Sequence, residues 1–105
     1  MAWIYLVLAG LFEIGWPVGF KIAQKGTHAL PGIAMAVVCM AISGFLLYLA
    51  QKSIPLGIAY AIWTGIGAAG TFLIGIMIFG DPTSMMRYMG VLLIIGGVIT
   101  LKLAS

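Results

Sequence analysis

Apolar residues run through this chain in four long blocks, each closed by a short polar or turn-forming segment. The first block occupies about residues 3–21, and Gln24, Lys25, Gly26, Thr27 and His28 end it. The second covers about 29–50, with Pro31 in its first turn, where a missing N–H costs a helix nothing. Gln51, Lys52, Ser53, Ile54 and Pro55 form the next turn, and a Gly-rich third block follows over about 56–79. Gly80, Asp81, Pro82, Thr83 and Ser84 make a tight turn before the fourth block, about 85–103. A helix needs about 20 apolar residues to cross a bilayer core of about 30 Å. The pattern therefore predicts an all-α membrane protein: one domain over 1–105, with four transmembrane helices.

Composition sharpens this reading. The chain is 64% apolar and 7% charged, with a mean hydropathy of +1.25. A soluble domain carries about a quarter charged residues, so this chain has too few to cover a surface in water. The N-terminus lacks the basic segment of a signal peptide and holds an acid in its apolar stretch, which predicts a retained first helix. The five basic residues are too scattered for a nucleic-acid surface. Cys39 is the only cysteine and is expected to be a small packing residue. His28 is expected to be a solvated loop residue, and Asp81 and Arg87 to pair across the third turn. There is no nucleophile–base set and no cluster of metal ligands, so neither enzyme turnover, a cofactor nor a metal is expected.

Orientation follows the Lys/Arg bias of short loops. Lys52 and Lys102 fall on the N-terminal side and Lys21, Lys25 and Arg87 on the other, two against three. So small a bias permits insertion both ways, and hence an antiparallel homodimer whose two copies of Glu13 meet in one cavity.

Glu13 is the only acidic side chain within the first block and lies near its middle. A charge at the bilayer centre costs roughly 2.5–3.5 kcal/mol on insertion scales, so such residues face a cavity or a partner. Gly10, Glu13, Trp16 and Pro17 share one helix face, and Gly10 is expected to leave room beside the carboxylate. Ser43 lies mid-span in the second helix; Tyr60, Trp63, Thr64 and Gly67 cluster in the third. Each has a blander reading: Ser43 and Thr64 as back-bonds to their own helices, Tyr60 and Trp63 as core or interfacial aromatics. Together they describe a cation site, where ion pairing, cation–π contact and hydrogen bonds act at once. A carboxylate drawn out of water favours whatever neutralises it. A proton and a cationic guest then compete for one group, the minimal physics of an antiporter.

Small residues mark where helices approach. Gly57, Ala61, Gly65 and Ala69 recur every fourth position, and Gly90 and Gly97 repeat at seven on the last helix, a candidate dimer contact. Residues 65–70 match G-x-G-x-x-G literally, but they lie inside an apolar run and lack the acid about 20 residues on that a dinucleotide site needs. Gly65 and Gly67 are read instead as a point where a membrane helix bends.

The four-helix plan, Gly10-Leu11-Phe12-Glu13-Ile14-Gly15-Trp16 and the string from Pro55 to Gly67 resemble the small multidrug resistance transporters over essentially the whole chain. Trp16, three residues after the glutamate, is similar to the guanidinium exporter subtype. The resemblance implies an antiparallel, dual-topology homodimer that exchanges guanidinium for protons across the bacterial inner membrane. Glu13 would be the shared proton and substrate carboxylate; Gly10, Trp16, Ser43, Tyr60 and Trp63 would line the site; Gly90 and Gly97 would join the protomers. Guanidinium suits such a site, since its edge pairs with a carboxylate and its face with rings. Ser43 is expected to orient Glu13, with Tyr60 bonding between them. Pro17 departs from the small non-proline residue expected there, and Ala68-Ala69-Gly70-Thr71-Phe72 leaves open a heteromeric partner. The competing readings are an exporter of quaternary ammonium or other lipophilic cations, a small dual-topology ion channel, and a non-transporting membrane subunit or lipid-carrier partner.

Overall fold

The computed structural model describes residues 1–27 and 29–105; His28, read above as a loop residue, lies outside the described residues. It is all-α: α1 (Ala2–Gln24), α2 (Ala29–Ala50), α3 (Leu56–Met77) and α4 (Met85–Leu103). All four are long and apolar enough to cross a membrane. At 1.5 Å per residue the shortest, with 19 residues, still approaches 30 Å.

Two helix ends differ from the hydropathy reading, and glycine geometry explains both. α1 continues to Gln24, past the expected stop at Lys21, because the backbone first turns left-handed at Gly26 (φ +88°). α3 ends at Met77 rather than Phe79. There Gly80 adopts φ +69°, and the N–H groups of Phe79 and Asp81 both donate to the Gly75 carbonyl, at 3.2 and 2.9 Å. That closure satisfies carbonyls which a helix end otherwise leaves open. The third turn also corrects one expected contact. Arg87 Nη1 donates to the Pro82 carbonyl at 2.7 Å instead of pairing with Asp81, while Ser84 Oγ caps α4 by accepting from the Arg87 N–H.

α1 sits between α2 and α3, and α4 packs on α3. The Cα atoms span 44 × 34 × 16 Å, so the chain forms a plate. Backbones approach most closely where glycines face each other. A Cβ on Gly19 would lie 2.6 Å from the Gly32 carbonyl oxygen, and one on Gly32 would lie 2.6 Å from both Gly19 O and Ala23 N. Cys39 packs its Sγ onto Gly15, in keeping with a packing role. On α3, Gly65 receives Val98, Gly67 receives Glu13 and Gly70 receives Ile14. The literal G-x-G-x-x-G match thus lies inside a continuous helix, and its three glycines act as holes for neighbouring side chains. α4 has no buried residue, and Gly90, Gly96 and Gly97 have open space where a Cβ would be.

Lysines mark both ends of the plate. Lys102 Nζ lies 4.4 Å above the Trp3 ring and Lys52 Nζ 5.3 Å from the Tyr48 ring at one end. Lys25 Nζ lies 5.0 Å from the Phe79 ring at the other. Ammonium groups over aromatic rings suit the two membrane–water boundaries, where such side chains collect.

Candidate functional site

Glu13 lies in the middle of α1, half-buried, with its side chain packed over Gly67 of α3. Any larger residue at position 67 would take the space of the Glu13 Cγ. One turn further along α1, Trp16 Nε1 donates to Glu13 Oε1 at 2.6 Å. This is a charge-assisted bond when the carboxylate is ionised, and it fixes one oxygen while leaving the other lone pairs free. Phe20 stands edge-on to the Trp16 ring, with centroids 5.6 Å apart, and supports it. Pro17 follows inside the helix and has no N–H to give to the Glu13 carbonyl four residues earlier, so an extra backbone acceptor sits next to the carboxylate.

Glu13 and Trp16 open onto a groove of about 420 Å³ between α1 and α3, bordered also by Pro17, Thr64, Thr71, Phe72 and Asp81. Thr71 and Phe72 were not among the sequence candidates. Thr64, Gly67 and Thr71 recur at helical spacing, so the signal existed as one polar and small face of α3, hidden by the glycines around it.

The other sequence candidates form a second cluster, one helical turn before Glu13. Ser43 is fully buried, donates to the Ala9 carbonyl at 2.7 Å and accepts from Trp63 Nε1 at 2.8 Å. Its hydroxyl therefore ties α2 to α1 and α3 at once, and it reaches Glu13 only through the backbone of α1. Among the described residues, the side-chain hydrogen bond to Glu13 comes from Trp16 alone. Tyr60 packs its ring 5.4 Å from that of Trp63 and is uncovered, at 55% exposure. The Tyr60 hydroxyl does not bridge Ser43 and Glu13 within this chain. Gly10 lies buried beneath Ile66 and is not part of the groove wall. Thr64 takes the bland reading in part: its hydroxyl donates to the Tyr60 and Ala61 carbonyls, at 2.8 and 3.2 Å, while its side chain borders the groove.

The second cluster supports a stability prediction. Ser43→Ala leaves the Trp63 N–H without its acceptor in a partly buried position, at a cost of about 1–3 kcal/mol. The expected result is an earlier unfolding transition of the purified protein in detergent. Ser43→Thr, which keeps the oxygen, moves it less. An unchanged transition for Ser43→Ala would show that the network does not hold the three helices.

Comparison with known proteins places these features in context. Residues 1–94 match the family model described as Small Multidrug Resistance protein. A protein of Yersinia pseudotuberculosis named guanidinium exporter is 50% identical over 105 residues, with 100% of both chains covered. Proteins of the same name from Proteus vulgaris and Escherichia coli are 46% and 44% identical over the whole of this chain, covering 100% and 99% of theirs.

Proposed function

Because this chain belongs to the small multidrug resistance family, and is thus a multi-pass protein of the bacterial inner membrane, we propose that it exports guanidinium in exchange for protons. The observation that carries this reading is the mid-span carboxylate of Glu13, held by Trp16 Nε1 on the wall of an open groove. Relatives named guanidinium exporter, 44–50% identical over the full chain, support guanidinium as the guest.

The mechanism follows from the electrostatics of that one group. An ionised, unpaired carboxylate at the bilayer centre is costly, and a proton or a guanidinium each removes the cost. Both cannot bind the same oxygens, so release of one is coupled to capture of the other. Trp16 holds the carboxylate in a fixed rotamer, leaving acceptors for the edge of a planar cation. Tyr60 and Trp63 offer ring faces one turn below it, where a flat cation is attracted by the π system. Ser43 serves this site by fixing Trp63 and the α1 backbone. Gly10 serves by letting Ile66 pack close to α1, and Gly65 and Gly67 give α3 the freedom to bend between states.

The working unit in this reading is an antiparallel homodimer. A plate 16 Å thick encloses no chamber, and α4 leaves Gly90 and Gly97 bare for a partner helix. The near balance of Lys and Arg between the two sides removes the bias against opposite insertion.

Proteoliposomes containing only this chain test the proposal. An inward guanidinium gradient should drive protons outward and raise the luminal pH, and a quaternary ammonium gradient should not. Guanidinium flux without proton movement would indicate a channel. A response only to quaternary ammonium would overturn the substrate. Silence to every cation until a second chain is supplied would overturn the homodimer.

A further inference from the structure

The chain has two acidic side chains, and both border the same groove. Export as proposed above uses Glu13 and leaves Asp81 without a role. Asp81 follows the left-handed Gly80 beyond the end of α3, and its N–H donates to the Gly75 carbonyl at 2.9 Å. Its carboxylate lies over Gly75, where a Cβ would displace it. The turn thus aims Asp81 back along α3 toward the groove, and Pro17, Thr71 and Phe72 line the wall it shares with Glu13.

The nearby cations are mostly committed elsewhere. Arg87 bonds the Pro82 carbonyl, Lys25 lies over Phe79, and no ion pair to Asp81 forms among the described residues. Lys21 borders an adjoining cavity of about 180 Å³ together with Asp81, Pro17 and Thr71, so among the described residues its ammonium is a local competitor for that carboxylate.

We propose that Asp81 is an outer station for the exported guanidinium, a second carboxylate at the polar end of the groove where the cation pauses on its way to or from Glu13. This rests on the export reading above. Asp81 is exposed, so water weakens any pair it makes. Its effect is to raise the local concentration of cations at the groove mouth, as a charged cleft with low-dielectric walls does. Lys21 works against it.

Initial rates of guanidinium uptake by proteoliposomes of the full chain, at low ionic strength, decide the matter. Asp81→Asn is expected to raise KM about fivefold, with the maximal rate changed by less than about twofold, a modest case of electrostatic capture. The turn itself is held by the backbone bond to Gly75 and by Gly80, so the amide should fold. Asp81→Glu should keep KM near that of the unaltered chain. Lys21→Gln should lower KM, a change of opposite sign that a structural role for the turn does not produce. At about 1 M salt, where the screening length is about 3 Å, the difference between Asp81→Asn and the unaltered chain should vanish.

The proposal is overturned by an unchanged KM for Asp81→Asn at low salt, by a fall in maximal rate alone, or by a raised KM that persists in high salt. Should Asp81→Asn fail to accumulate, Lys21→Gln decides alone, and an unchanged or raised KM there refutes the station. Failure of the export reading looks different: the unaltered chain takes up no guanidinium at all.

Discussion

Glu13→Gln is expected to abolish the proposed guanidinium-driven proton movement while leaving the chain folded. The amide keeps its oxygen, so Trp16 Nε1, now 2.6 Å from Oε1, retains an acceptor. Removing a charge from mid-span also removes an insertion cost. What disappears is the ability to exchange a proton for a cation. A guanidinium that loses two charge-assisted bonds, each worth about 1.5–3 kcal/mol, binds at least about a hundredfold more weakly. The pH dependence carries the sign. Acidification protonates the carboxylate and weakens guanidinium binding, approaching tenfold per pH unit where the proton dominates, and binding recovers as pH rises. The glutamine variant should show no such dependence. Titration of intrinsic tryptophan fluorescence, with Trp16 beside the site, measures binding, and luminal pH in proteoliposomes measures coupling. Retention of proton-coupled exchange by Glu13→Gln would remove the basis of the proposed mechanism.

Gly32→Leu prevents stable folding, the largest structural effect expected of any single substitution here. A Cβ at position 32 meets Ala23 N and Gly19 O at 2.6 Å, both backbone atoms of α1. Backbone cannot rotate aside as a side chain can, so α1 and α2 must separate. Overpacking a tight core costs about 1–3 kcal/mol for small insertions and more when backbone must move. In a bilayer, helix association rests on such close approach, since lipid tails are as apolar as the helices. Even Gly32→Ala should lower the unfolding transition measurably in detergent, and Gly32→Leu should not accumulate in membranes. Gly44→Ala is the control. Nothing lies within 4 Å of its added Cβ, and alanine favours the helix by about 0.5–1 kcal/mol. Equal tolerance of substitution at 32 and 44 would contradict the packing described.

The boundaries of α1 and α3 illustrate what hydropathy reports and what it misses. It registers where apolar residues stop, at Lys21 and at Phe79, yet α1 runs on to Gln24 and α3 stops at Met77. The backbone obeys the first left-handed glycine rather than the last apolar side chain. Glu13 and Trp16 were legible as a pair, because both lie on one helix and a spacing of three brings them to one face. Ser43 was legible as a polar residue out of place, but its partners were not. The Ala9 carbonyl carries no mark in a sequence, and Trp63 belongs to another helix.

The sequence by itself determined the four membrane-crossing helices, the turns between them and the isolation of one acid among apolar residues. All of these follow from local composition and from the length of a helix needed to span a bilayer. Tertiary structure alone decided that Glu13 rests on Gly67, that Gly10 lies beneath Ile66, and that Asp81 opens onto the groove of Glu13. Such relations depend on how far one helix slides and rotates against another. That register is set by glycines that admit a neighbour's backbone or side chain, and no run of residues along one helix contains it.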